Sequence, residues 1–158
     1  MKVKSATGFS LIELLIVIAI FSILVAIASP NFTKYKANTK LKEAARKITQ
    51  DIQFCKRMAV AENTHFRITI NKATSEYTIQ RKISDSSWTN VSSTKKISED
   101  DEDIKISDDP TYGSDQILFQ PRGTTNAGTL KIKHGKIQSE ASIITSLMGH
   151  VRIQYDLK

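Results

Sequence analysis

One cysteine, three prolines and six glycines in 158 residues remove several architectures at once. A lone cysteine cannot staple a scaffold through intrachain disulfides. So few glycines and prolines exclude collagen-like repeats and low-complexity linkers. Aromatic residues make up only 7% of the chain, poor provision for stacking single-stranded nucleic acid. His65, His134 and His150 are scattered, and no His-x-x-x-His or Cys-x-x-Cys spacing occurs, so the sequence carries no metal motif. Gly-x-Ser-x-Gly, phosphate-loop and dinucleotide fingerprints are also missing. The sequence therefore reads as a non-enzyme that uses no cofactor. Its length supports one domain with a real core. Its 23 Lys and Arg against 16 Asp and Glu, a net charge of +7, invite a nucleic-acid or membrane-surface reading.

The apolar residues are concentrated at the start. Residues 9–29 read FSLIELLIVIAIFSILVAIAS and contain a single charge, Glu13. As a helix, such a stretch spans about 30 Å, the thickness of a bilayer's hydrocarbon layer. Lys2 and Lys4 precede it with no acid between. The positive-inside rule then holds the N-terminus in the cytoplasm and the rest of the chain outside. Two plainer readings compete: a signal peptide cut after Ala26-Ile27-Ala28, leaving Ser29 first, and a permanent single-pass anchor. The run exceeds the usual apolar region of a signal peptide, about 7–15 residues, and it carries a carboxylate that is costly at a membrane's centre.

Gly8-Phe9-Ser10-Leu11-Ile12-Glu13 followed by a long apolar run resembles the processing signal of type IV pilins and type II secretion pseudopilins. The resemblance implies removal of residues 1–8 by a prepilin peptidase that cuts between Gly8 and Phe9, then N-methylation of Phe9 by the same peptidase/methyltransferase. It also implies an inner-membrane protein that later joins a periplasmic or cell-surface filament of other pilins or pseudopilins, through an inner-membrane assembly platform. In that scheme Glu13 has a physical role in assembly. A carboxylate in an apolar setting is tolerable beside a cation. Glu13 lies four residues, one helical turn, from the new ammonium at Phe9, and it can equally meet the ammonium of a neighbouring subunit.

Pro30 should kink the helix rather than end it. Residues 30–62 continue as an amphipathic helix, with Leu41, Ala45, Ile48, Ile52, Cys55 and Ala59 spaced by three and four on one face. On that stripe Cys55 reads as a buried, inert small hydrophobe. Asn63-Thr64 is the expected stop. Beyond it the period falls to two. Strands are expected at 66–70, 77–80, 130–133 and 151–156, with shorter ones at 104–106, 117–119 and 143–145. Asn71-Lys72, Asp85-Ser86-Ser87, Asp108-Asp109-Pro110, Asn126-Ala127-Gly128 and His134-Gly135 supply the turns. The fold class is α+β: a long N-terminal helix, transmembrane in its first half, packed on an antiparallel β head over residues 64–158.

The head resembles the GspH/FimT-like minor pseudopilins through three ordered motifs. Lys56-Arg57-Met58-Ala59 is similar to that family's Arg-x-x-Ala helix end, and Phe119-Gln120-Pro121-Arg122-Gly123 to its Phe-x-Pro-x-Gly turn. Residues 143–152 resemble its closing apolar strand and Gly-Arg-x-Arg, with His150 in place of the first Arg. The likeness runs from residue 8 to residue 153 and is weakest over 84–115. It implies a pilin fold with a GspH-like β-sandwich head. Some relatives of this kind resemble DNA receptors of uptake pili; Arg152, Lys131, Lys133 and Arg122 are the candidate phosphate contacts here.

The charges divide. Residues 99–115 hold eight acids and only Lys105, a local −7. Without Lys2 and Lys4 the chain carries 7 − 2 = +5, so the remainder is +12. Asp101, Asp103 and Asp108 form a weak calcium candidate, since Ca²⁺ takes six to eight oxygen ligands but the segment has no EF-hand spacing. The alternatives are a solvated loop and a docking surface for a basic neighbour.

Overall fold

The computed structural model describes residues 9–107 and 111–158, and side chains at these positions other than 27–31 and 113. Among the described residues one α-helix, α1 (Leu11–Ala61), is followed by nine strands, with a single 3₁₀ turn at Gly113–Asp115. They are β1 (Phe66–Asn71), β2 (Glu76–Ser84), β3 (Ser87–Asn90), β4 (Lys95–Lys96), β5 (Ile104–Ile106), β6 (Gln116–Phe119), β7 (Gly128–His134), β8 (Ser139–Thr145) and β9 (Val151–Asp156). The chain divides into two compact units, one ending at Lys36 and the other comprising Ala37–Lys158. In the first unit the chain is helical from Leu11 onward. The second contains the amphipathic part of α1 and the whole β head.

Within the second unit the helix forms because no glycine or proline interrupts it and one face is continuously apolar. All six residues of the expected stripe are buried, 0–1% exposed. Asn63 ends the helix in the left-handed region, at φ 47°. The Thr64 N–H donates to the Ala59 carbonyl (3.2 Å) and the Asn63 N–H to the Val60 carbonyl (3.3 Å), so the last turn closes as a Schellman motif.

Every strand pairing is antiparallel. One sheet runs β3-β2-β1-β6 with β4 also on β2; the other runs β5-β7-β8-β9. Period-two patterning decides which side chains turn inward. Phe66, Ile68 and Ile70 of β1, Tyr77 and Ile79 of β2, Leu130 and Ile132 of β7, and Ala141 and Ile143 of β8 all join the helix stripe in a single cluster. The free side of β6 is closed by side-chain chemistry: the Asn126 amide accepts from the Leu118 N–H (2.7 Å) and donates to the Gln116 carbonyl (2.7 Å).

Two features differ from expectation. β3 and β4 were not foreseen, since Ser87–Asn90 and Lys95–Lys96 have no apolar alternation. Trp88 sits on β3 with the Arg67 guanidinium 4.2 Å above its ring, a sheet-surface position. β9 alternates as expected but buries little: Val151 and Ile153 are half-buried and Tyr155 is exposed, because an edge strand covers only the margin of the core.

Burial, reinforced by the nearby Asp51 carboxylate, pushes the Cys55 thiol up to about 12. The thiolate is the reactive form. Cys55 should therefore resist a maleimide at pH 7.5 in the folded chain and react fully in denaturant; mass spectrometry of the labelled protein reads the difference.

Candidate functional site

The first unit carries the expected processing and assembly residues. Phe9 is 78% exposed, and Glu13 lies in the first turn of α1, where the Ser10 carbonyl accepts from the Glu13 (3.1 Å) and Leu14 (3.2 Å) N–H groups. Every residue from 9 to 26 is exposed. A continuous apolar surface of this kind is unsatisfied in water and requires lipid or another apolar surface. Among the described residues no helix is long and apolar enough to cross a membrane. Gly8 lies outside the described residues; α1 does not end at Pro30, whose side chain is among those not described.

The three head motifs converge at the C-terminal end of α1. Two turns of the same design meet there. In Gln120-Pro121-Arg122-Gly123-Thr124, Gly123 N–H donates to the Gln120 carbonyl (2.9 Å) and Gln120 N–H to the Thr124 carbonyl (2.9 Å), with Gly123 at φ 81°. In Ser146-Leu147-Met148-Gly149-His150, Gly149 N–H donates to the Ser146 carbonyl (2.8 Å) and Ser146 N–H to the His150 carbonyl (2.9 Å), with Gly149 at φ 70°. Both are four-residue turns whose last residue is left-handed, a conformation glycine adopts without a Cβ penalty. Pro121 pre-sets the backbone of the first. A Cβ on Gly149 would lie 2.6 Å from the Gly123 carbonyl oxygen, so the two turns touch through backbone. Lys56 joins them to the helix, donating to the carbonyls of Met148 (3.3 Å) and Gly149 (3.1 Å). Val60, Leu147 and Met148 are exposed beside this junction.

Nearer the start of the second unit, the helix fastens the acidic segment. Lys47 pairs with Glu99 at 2.8 Å and holds its carboxyl below the usual range. Lys40 donates to the Asp100 carbonyl (2.8 Å) and lies 3.7 Å from the Asp101 carboxylate. Asp51 accepts from the Tyr77 hydroxyl (2.7 Å) and pairs with Lys95 (2.8 Å). Burial, and then the bond to Asp51, raises the Tyr77 phenol. Lys136 meets Asp103 at 2.7 Å, and His134 Nε2 lies 3.4 Å from Asp101. The acidic run is thus not simply solvated: its opposite charges come largely from its own chain. Asp101 and Asp103 stand together with His134, a buried residue that spacing alone did not link to them. Asp108 lies outside the described residues.

The candidate phosphate contacts are divided. Lys131 and Lys133 on β7 each lie 3.5 Å from Glu140 on β8. Arg152 is exposed on β9, and Arg122 is exposed in the turn after β6, on the other sheet. No feature of this arrangement favours nucleic acid.

Residues 3–29 match the prokaryotic N-terminal methylation motif, and residues 44–149 match the type II transport protein GspH. Among solved structures, the minor pseudopilin EpsH from the type 2 secretion system of Vibrio cholerae superposes with a TM-score of 0.62 at 15% identity, covering 73% of this chain and 96% of that one. The type IV minor pilin FimU of Pseudomonas aeruginosa (strain PAO1) gives 0.60 at 14% identity, covering 76% and 92%. The type IV major pilin protein PilA of Myxococcus xanthus (strain DK1622) is 62% identical over 37 residues, 23% of this chain and 17% of the relative. A fimbrial protein of Pseudomonas aeruginosa is 46% identical over 46 residues, 29% and 30%. The chain spans less than a third of the length of these curated relatives.

Gly149→Ala should destabilise the chain by about 1–3 kcal/mol, from the left-handed backbone and the approach to Gly123. Leu147→Ala, at an exposed position of the same turn, should stay within about 0.5 kcal/mol. Urea unfolding of the full chain in detergent separates the two.

Proposed function

The chain belongs to the family of the type II transport protein GspH, and we propose that it is a minor pilin or pseudopilin, a structural and assembly subunit of a type II secretion or type IV pilus filament. The observation that carries this reading is the exposed apolar surface over residues 9–26, with Phe9 and Glu13 four residues apart at its start, on a chain that matches the GspH family over residues 44–149.

In this reading a prepilin peptidase removes residues 1–8 and methylates Phe9. Residues 9–29 then hold the protein in the cytoplasmic membrane, with Lys2 and Lys4 having set the N-terminus inside and the head outside. An inner-membrane platform moves the subunit from lipid into the filament core. The exchange replaces apolar lipid contacts by apolar helix contacts, so its free energy is small and packing or a specific pair can decide it. Glu13 supplies that pair. Its carboxylate accepts the Phe9 ammonium of its own or a neighbouring subunit, and an unpaired carboxylate in the apolar core disfavours other axial registers. Pro30 is the expected kink position between the apolar run and the amphipathic residues 30–62. The head faces outward and selects its neighbours.

N-terminal mass spectrometry of the native protein tests the processing: the mature chain should begin at N-methyl-Phe9 and have 158 − 8 = 150 residues. A start at Ser29 overturns the reading in favour of a cleaved signal peptide. Glu13→Ala should still fractionate with the membrane but be depleted from the pelleted filament, measured by immunoblot of both fractions.

A further inference from the structure

We propose that the open edge of β9 pairs with β9 of a second copy of this chain, antiparallel and about a two-fold axis centred on Gln154. The sheet edges differ in how they are closed. β6 is capped by Asn126, 2.7 Å from the Leu118 N–H. On β5, the Ile106 N–H donates to Ser75 Oγ (3.3 Å) and the Ile104 N–H to the Asp101 carbonyl (3.3 Å). β3 and β4 are only four and two residues long. β9 has six residues, and among the described residues its far side meets no strand. An open edge of that length is a template for another strand.

The β8–β9 hairpin sets which groups the edge offers. The Ser146 N–H donates to the His150 carbonyl (2.9 Å), and Thr145 stands opposite Val151. Bonded and non-bonded pairs alternate along an antiparallel ladder. Arg152, Gln154 and Asp156 therefore direct their N–H and C=O groups to β8. Val151, Ile153 and Tyr155 turn theirs away from it, and among the described residues nothing occupies them.

The side chains name the occupant. Residues 151–157 read VRIQYDL. Val151 and Ile153 are half-buried at the core's margin, and Tyr155 and Leu157 continue that row at 37% and 38% exposure. Arg152, Gln154 and Asp156 form the outer row, all exposed. Laid antiparallel on itself about Gln154, this segment sets Arg152 of each copy across from Asp156 of the other. It also sets Ile153 across from Tyr155 and Val151 across from Leu157. The Ile153–Tyr155 pair uses the free backbone groups, and Arg152–Asp156 is a non-bonded pair, the kind whose side chains come closest. Centring on Ile153 instead sets Arg152 against Gln154, and centring on Tyr155 sets it against Lys158, so charge selects one register. The two-fold makes each favourable pair occur twice.

Asp156 lacks such a partner at home. It lies across from Glu140, another acid, whose carboxylate already has Lys131 and Lys133 at 3.5 Å. A six-residue edge is small for a permanent dimer and fits a reversible contact. The axis stands perpendicular to the sheet, and residues 37–61 of α1 lie along the sheet's inner face, so their direction is reversed in the second copy. The contact thus joins copies presented from opposite directions, not neighbours standing side by side in one membrane.

Cysteine cross-linking of the full chain in detergent tests the register. Cys55 is buried, so Gln154→Cys places one accessible thiol on the axis. Mild oxidation should convert that variant to a disulfide-linked dimer on a non-reducing gel. Arg152→Cys and Asp156→Cys should each cross-link poorly alone and well when mixed. In the Gln154→Cys chain, Arg152→Glu and Asp156→Lys should each weaken cross-linking about tenfold, and the two together should restore it. Rescue by the double change separates a lost contact from a misfolded chain. Failure of Gln154→Cys to cross-link overturns the assignment. So does cross-linking that the single charge reversals leave unchanged, which association through the apolar residues 9–26 would produce. A double variant as weak as the singles, or stronger self-linking at 152 or 156 than at 154, overturns it as well. None of these outcomes depends on whether the chain enters a filament.

Discussion

A single helix must satisfy two solvents. Between residues 11 and 26 every side chain of α1 is exposed, and most are apolar; between 41 and 59 one stripe is apolar and fully covered. The covered stripe fixes the head. Both sheets place their inward-facing residues against it, so strand register, sheet order and the position of the turns all follow from which residues of α1 point inward. The remaining charges of the helix are then free to work as fasteners: Lys40, Lys47 and Asp51 reach the 95–101 region, and Lys56 reaches the turns at the helix's end.

Much of this was legible because the signals are periodic or stereochemical. The 3.6-residue spacing from Leu41 to Ala59 predicted a buried face residue by residue, and Asn63 marked the stop because it tolerates left-handed backbone. The alternation in β1, β2 and β7 located those strands for the same reason. The Gly123 and Gly149 motifs pointed to turns, although the sequence did not show that the turns touch. β3 and β4 were invisible: they are short, polar and held by pairing to β2, so no side-chain pattern announces them.

The acidic segment shows the opposite limit. Composition alone made it an isolated patch of charge, with solvent, calcium or a neighbour as the natural partners. Its observed partners come from distant parts of the chain, Lys40 and Lys47 on the helix and His134 and Lys136 on the β7–β8 hairpin. Long-range pairing of this sort depends on where the core places each element, and net charge carries no information about it. The apparent dipole of the sequence is, in the folded head, partly an internal one.

The Asn126 side chain adds a constraint on how copies meet. By occupying the Leu118 N–H and the Gln116 carbonyl it leaves β6 with no free ladder on that side. A head crowded against others cannot extend its sheet there by adding a neighbour's strand. Recognition across that surface must then be written in side chains, and side chains can change while the backbone stays. A fold shared with EpsH at 15% identity is what such a division of labour permits: one scaffold, with partner choice free to drift across its surface.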